Sequence, residues 1–81
     1  MKVKVRYFAS HREAAGVHEE DIIIEDGKSV SELFDILSKK HPELAKFKNH
    51  TLFSINRQYA NLDTKLKEND ELAMFPPVSG G

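Results

Sequence analysis

The chain has 81 residues, with 12 Lys and Arg against 13 Asp and Glu and a formal net charge of -1. That length makes one small domain with little room for an enclosed active site, so a binding or carrier role stands ahead of a self-contained enzyme. A charge so close to zero supplies no long-range field to gather nucleic acid or anionic lipid.

Cysteine is absent, which removes disulfides, thiolate nucleophiles, cysteine-based metal sites and persulfide carriage together. No apolar stretch approaches the roughly 18 to 20 residues that span a bilayer, and the opening Met1-Lys2-Val3-Lys4-Val5-Arg6 alternates instead of forming an apolar block. A cytoplasmic protein without membrane contact is expected. Hydrophobic residues at 40% and charged residues at 31% match a folded domain.

Residues 2–8 alternate strictly, with Val3, Val5 and Tyr7 on one face and Lys4, Arg6 and Phe8 on the other, the pattern of a half-buried strand. The segment 9–15 is polar and tolerates helix, and it stops at Gly16. A β-branched run over 21–25, ended by Asp26-Gly27, predicts a second strand that pairs with the first. Ser29 with Glu32 three residues later has the form of a capping box, and Val30, Leu33, Phe34 and Leu37 follow helical spacing. That helix is expected to end near His41, because Pro42 disfavours helical geometry in the residue before it.

Leu44 and Phe47 anchor the connection that follows. Strands are predicted over 51–56, weakly over 58–60, and over 71–75, with a turn at Asn69-Asp70 that suits the left-handed conformation asparagine can adopt. The order β-β-α-β-β-β predicts an α+β fold of the β-grasp, ubiquitin-like type, a mixed sheet wrapped on one main helix. The domain is expected over 1–75 and an extended tail over 76–81.

The tail Pro76-Pro77-Val78-Ser79-Gly80-Gly81 contains nothing that continues a sheet or starts a helix. Pro-Pro favours an extended conformation, and at ~3.3 Å per residue the tail reaches at most about 20 Å, enough to enter another protein's cleft. Two glycines strip side chains from the approach to the terminal carboxylate, so the backbone threads a narrow channel. A partner that uses ATP can convert that carboxylate to an acyl-adenylate, and a sulfur donor can then displace AMP to leave a thiocarboxylate. A frayed end is the plain alternative. At about 7% glycine, two terminal glycines arise by chance in about one chain in 200.

Val5-Arg6-Tyr7-Phe8-Ala9, then Arg12-Glu13 and Gly16, Ile55-Asn56, and the closing run from Asn69 through Phe75-Pro76-Pro77-Val78-Ser79-Gly80-Gly81 carry a resemblance from end to end. The chain resembles the small, sulfur-carrying subunits of molybdopterin synthase, ubiquitin-like proteins of the ThiS kind. The ending is unlike the plainer glycine ends of the thiamine-pathway carriers. The resemblance implies that Gly81 is adenylated by an ATP-dependent E1-like activating enzyme, converted by a sulfur donor to a thiocarboxylate, and inserted into the synthase large subunit. There it donates sulfur to a pterin precursor, with Pro76, Pro77, Val78, Ser79 and Gly80 as the threaded segment. It further implies a heterotetramer, no permanently bound cofactor, transient AMP and sulfur at Gly81, and a subunit that is not an enzyme alone. Asn69 stands where the family usually has glycine, and Tyr59 where relatives often carry an aliphatic residue. A ubiquitin-like protein modifier, a carrier for thiamine or tRNA thiolation, and an inert interaction module remain as alternatives.

If Val3, Val5 and Tyr7 face the core, Phe8 faces away. If Leu72 and Met74 face it, Phe75 faces away as well. Phe8 and Phe75 are therefore expected to form a partner interface near the root of the tail, and the resemblance, in which position 59 often carries an aliphatic contact residue, implies that Tyr59 joins them. Arg12-Glu13 reads as a surface ion pair of little energetic weight. His11, His18, His41 and His50 lack metal-site spacing and read as surface or capping histidines. Phe34, Leu37 and Phe47 read as core filling.

Overall fold

A computed structural model describes residues 1–77. The chain runs β1 (Lys2–Tyr7), α1 (Ser10–Ala15), β2 (Glu19–Ile23), α2 (Val30–Lys40), a 3-10 turn (Pro42–Phe47), β3 (Leu52–Ile55), β4 (Gln58–Ala60) and β5 (Glu71–Phe75). The strands form one sheet in the order β2-β1-β5-β3-β4. β1 and β5 pair in parallel at its centre, and the other pairs are antiparallel. This is the predicted β-grasp.

One face of the sheet takes α2. Val3, Val5, Leu72 and Met74 are fully buried and meet Val30, Leu33 and Leu37 of the helix, while Phe34 stands edge-on to Phe53 with ring centroids 5.9 Å apart. Burial of such apolar surface, at about 25 cal/mol per Å², is the main force holding helix to sheet. The capping box forms as predicted: the Glu32 amide donates to the Ser29 hydroxyl at 3.2 Å, and the Ser29 amide donates to the Glu32 carboxylate at 3.1 Å. At the other end the His41 amide donates to Leu37 O at 2.7 Å before Pro42 turns the chain.

The end of α2 is tied to the sheet through Glu20. Its Oε2 accepts from the Tyr7 hydroxyl at 2.6 Å and lies 2.7 Å from His41 Nε2, while Lys40 Nζ holds Oε1. Burial pushes the Glu20 carboxyl up, but the hydrogen bonds from Lys40, Tyr7 and His41 outweigh it and leave the group below the usual carboxylate range. The same burial, with the Glu20 charge, raises the Tyr7 phenol.

Several expectations are corrected. β2 occupies Glu19–Ile23 instead of 21–25, since pairing with β1 starts at Arg6 opposite Glu19 as soon as the chain has turned at Gly16. α1 and the 3-10 turn add two short helical elements to the β-β-α-β-β-β order. β3 is shorter than 51–56, because Asn56 and Arg57 take positive φ of 51° and 73° and make the two-residue turn into β4. Asn69 takes the left-handed conformation expected of it, at φ 66°.

His11 is not a surface histidine. It is fully buried, its ring centroid 4.8 Å from that of Phe47, and Nε2 lies 2.7 Å from the Thr51 hydroxyl. Thr51 donates its own proton to Phe47 O at 2.7 Å, so Nε2 of His11 is the donor in that pair. Nδ1 has no partner among the described residues, and burial lowers the imidazole pKa. Phe47 is half-buried over this ring, outside the central core in which Phe34 and Leu37 lie.

Candidate functional site

The outward face of the sheet follows from the strand registers. Lys4 and Glu71 are opposed across β1 and β5, as are Arg6 and Ala73, and Ala73 in turn faces Ser54 of β3, which faces Tyr59 of β4. Leu52 faces Phe75 two pairs further on, beside Phe8. The face is thus charged at one end and aromatic at the other.

At the aromatic end Phe8 and Phe75 stand edge to face with centroids 6.5 Å apart, and Tyr59 lies 6.4 Å from Phe75 on its other side. Phe75 is the centre of the row. Phe8 is 40% exposed and Tyr59 80% exposed, although they are large apolar rings. A contiguous aromatic strip left open to water in a small domain is the kind of surface that a partner can cover. The register expected from alternation is the one adopted, and it brings all three aromatic residues together.

Phe8 is held in place by main chain. Its amide donates to Met74 O at 3.1 Å, and its carbonyl accepts from the His11 amide at 3.0 Å. Between them Ala9 has φ 51° and ψ -126°, a conformation natural to glycine and costly to alanine. The Arg6 guanidinium carbon lies 5.4 Å above the Phe8 ring.

Beside the aromatic rings, a hollow is lined by Arg6, Phe8, Ser54, Arg57, Glu71, Ala73 and Phe75. The small side chains of Ser54 and Ala73, paired across β3 and β5, leave room for it. Ser54, Ala73 and Arg57 were not legible as site residues, because each is unremarkable until the β3–β5 register sets them beside the aromatic rings.

The charged end is internally paired. Lys4 Nζ lies 3.2 Å from Glu19 Oε2, and Arg6 lies 3.9 Å from both Glu19 and Glu71. The hydrogen bond and charge of Glu19 raise the Lys4 ammonium pKa. Arg12 and Glu13 do not pair with each other among the described residues. Adjacent helical positions point apart, and Arg12 Nη1 instead lies 3.4 Å from His18 Nδ1.

β5 ends at Phe75, so the chain leaves the sheet from the centre of the aromatic strip. Pro76 and Pro77 follow outside any regular element, Pro77 exposed. The remaining tail positions named from the sequence, Val78, Ser79, Gly80 and Gly81, lie outside the described residues. No group of His, Cys, Asp or Glu among the described residues is placed to hold a metal ion, and no helix among them is long and apolar enough to cross a membrane.

The chain is similar along its whole length to the molybdopterin synthase sulfur carrier subunits of Chlamydomonas reinhardtii, at 39% identity with all of both chains covered, and of Homo sapiens, at 34% identity with 99% of this chain and 94% of the relative covered. Among solved structures it superposes on a molybdopterin converting factor subunit 1 of Pyrococcus furiosus with a TM-score of 0.81 at 36% identity, covering 96% and 99% of the two chains. It matches the small archaeal modifier protein 1 of Haloferax volcanii with a TM-score of 0.86 at 27% identity, covering 95% and 98%. It also matches a chain in the complex of subunits 1 and 2 of the molybdopterin-converting factor from Helicobacter pylori, with a TM-score of 0.70 at 27% identity and full coverage of both. The ThiS family profile matches residues 5–81, through the terminal glycines, and the chain belongs to that family.

Proposed function

We propose that this chain is the sulfur carrier of a molybdopterin synthase and that the carboxylate of Gly81 is its working group. The observation that carries the reading is the placement of the tail's root. β5 delivers the chain into Pro76-Pro77 at Phe75, in the middle of an exposed aromatic strip with Phe8 and Tyr59. A partner that covers the strip receives the Gly-Gly end in its own cleft. Phe8, Tyr59 and Phe75 dock, Pro76 to Gly80 thread, and Gly81 reacts.

The chemistry balances without a resident cofactor. The Gly81 carboxylate attacks the α-phosphorus of ATP, forming an acyl-phosphate bond and releasing pyrophosphate. Hydrosulfide then attacks the acyl carbon, AMP leaves, and loss of one proton gives the thiocarboxylate. In the synthase the thiocarboxylate sulfur attacks a carbon of the pterin precursor, the oxygen substituent on that carbon leaves as its C–O bond breaks, and water then cleaves the acyl-sulfur bond to restore the carboxylate and leave the sulfur on the pterin. Each turn delivers one sulfur, so a dithiolene takes two. The activating enzyme, the sulfur donor and the large subunit supply the catalytic side chains. A chain without cysteine has no thiol to carry the sulfur instead.

The test is the intact mass of the protein after incubation with an activating enzyme, ATP and sulfide. Replacement of one terminal oxygen by sulfur, localised to Gly81 and lost on its deletion while the folded spectrum is kept, is the expected result. An unmodified mass under these conditions rejects the reading. A second reading, a protein modifier whose Gly81 ends in an isopeptide bond to lysine, draws on the likeness to the small archaeal modifier protein. It predicts covalent conjugates in lysates, which a pure sulfur carrier does not form.

A further inference from the structure

Two groups of cations lie on or beside the outer sheet face. Lys4 and Arg6 are neutralised within the chain by Glu19 and Glu71. Arg57 at the tip of the β3–β4 hairpin, and Lys65 and Lys67 in the segment after β4, are exposed, and none has a carboxylate within ion-pair distance among the described residues. The carboxylates that share hollows with these cations are engaged by other groups: Glu71 lines the hollow of Arg57 but lies 3.9 Å from Arg6, and Asp70 lines the hollow of Lys65 and Lys67. Asp70 is buried, and its oxygens accept from the Asn56 side-chain amide at 2.9 Å and the Lys67 backbone amide at 2.8 Å. Glu68 accepts from the Lys2 amide at 3.0 Å, and Asp63 borders a separate hollow beside Lys48.

These three cations flank the hairpin that carries Tyr59. Lys65 and Lys67 share a hollow with it on one side of the hairpin, and Arg57 lines the hollow beside Phe8 and Phe75 on the other. The positive rim is therefore continuous with the aromatic strip, on a chain whose net charge is -1. The plain reading is that charges beside a short edge strand merely prevent it from pairing with other strands. That reading does not account for Arg57, which lies on the aromatic side of the hairpin and lines the docking hollow.

We infer that the protein receiving the tail crosses the β3–β4 hairpin with an acidic segment that pairs with Arg57, Lys65 and Lys67 around Tyr59. This rests on the sulfur-carrier reading above and adds the chemistry of the partner surface. Charges at the rim of an apolar contact act mainly by steering the encounter, so their signature is a salt-sensitive association rate.

The experiment is association of the full-length chain with the synthase large subunit of the same organism, across a salt series, for wild type, the triple variant Arg57→Glu/Lys65→Glu/Lys67→Glu, and Phe75→Ala. Thermal melting confirms that each variant is folded, and Lys65→Gln/Lys67→Gln serves if the triple variant is not. The expected result is an association rate at least about tenfold lower for the triple variant near ~0.05 M salt, with the gap closing towards ~0.5 M. A triple variant that associates like wild type at every salt concentration, beside a weakened Phe75→Ala, overturns the acidic-partner inference alone. Wild type that binds no large subunit overturns the sulfur-carrier reading and this inference with it.

Discussion

The two faces of β1 and β5 use the same backbone for opposite ends. Inward, Val3, Val5, Tyr7, Leu72 and Met74 are buried to 2% exposure or less, and any change there is read by the whole core. Outward, Lys4 and Arg6 of β1, Phe8 just beyond it, and Ala73 and Phe75 of β5 leave an aromatic strip and a hollow open to water. Alternation lets the two faces change independently, so docking chemistry can vary without cost to the fold.

The sharpest way to break that separation is to cut one face at a time. Leu72→Ala removes a fully buried side chain and is expected to cost about 2 to 5 kcal/mol, read as a lowered urea midpoint. Phe75→Ala, three positions along the same strand, is expected to change the midpoint far less while weakening large-subunit binding by about 2 kcal/mol, roughly 30-fold, by titration calorimetry. If Phe75→Ala unfolds the domain as badly as Leu72→Ala, the faces are not separable.

A milder change sharpens the comparison at the joint between them. Ala9 holds φ 51° and ψ -126° between buried Tyr7 and outward Phe8 on one side and buried His11 on the other. Ala9→Gly is expected to stabilise by about 1 kcal/mol by relieving that strain, with a higher melting temperature as the readout. An unchanged or lower temperature would show that the conformation is not strained.

The last prediction concerns pH. Burial lowers the His11 pKa below its unfolded value of 6.5, so the unfolded chain binds the proton more readily. The stabilisation is complete above pH 6.5 and is lost as pH falls from there through the folded pKa. Urea midpoints at pH 7 and pH 5 are expected to differ less in His11→Gln than in wild type, and equal differences would exclude His11 as the source.

The two helix ends show how much was legible from local pattern. Ser29 with Glu32 predicted the capping box, and Pro42 the stop at His41, since both signals act within a few residues of themselves. The alternation in β1 and β5 likewise placed Phe8 and Phe75 on one outward face, because side-chain direction in a strand has period two. Burial of His11 was not legible. Its partners Phe47 and Thr51 lie far along the chain and reach it only when the 3-10 turn packs against α1.

The sequence by itself therefore determined α2 with its capping box, the inward faces of β1 and β5, and the Gly80-Gly81 end, all of which rest on local spacing or composition. Only the tertiary structure decided which of the other residues stand beside one another: Ser54 opposite Ala73, Arg57 in the hollow beside Phe8 and Phe75, and His11 sealed beneath Phe47. Those contacts come from strand order and register, which many sequences with the same periodicity could satisfy differently, and which the competition to bury one apolar face against α2 resolves for this one.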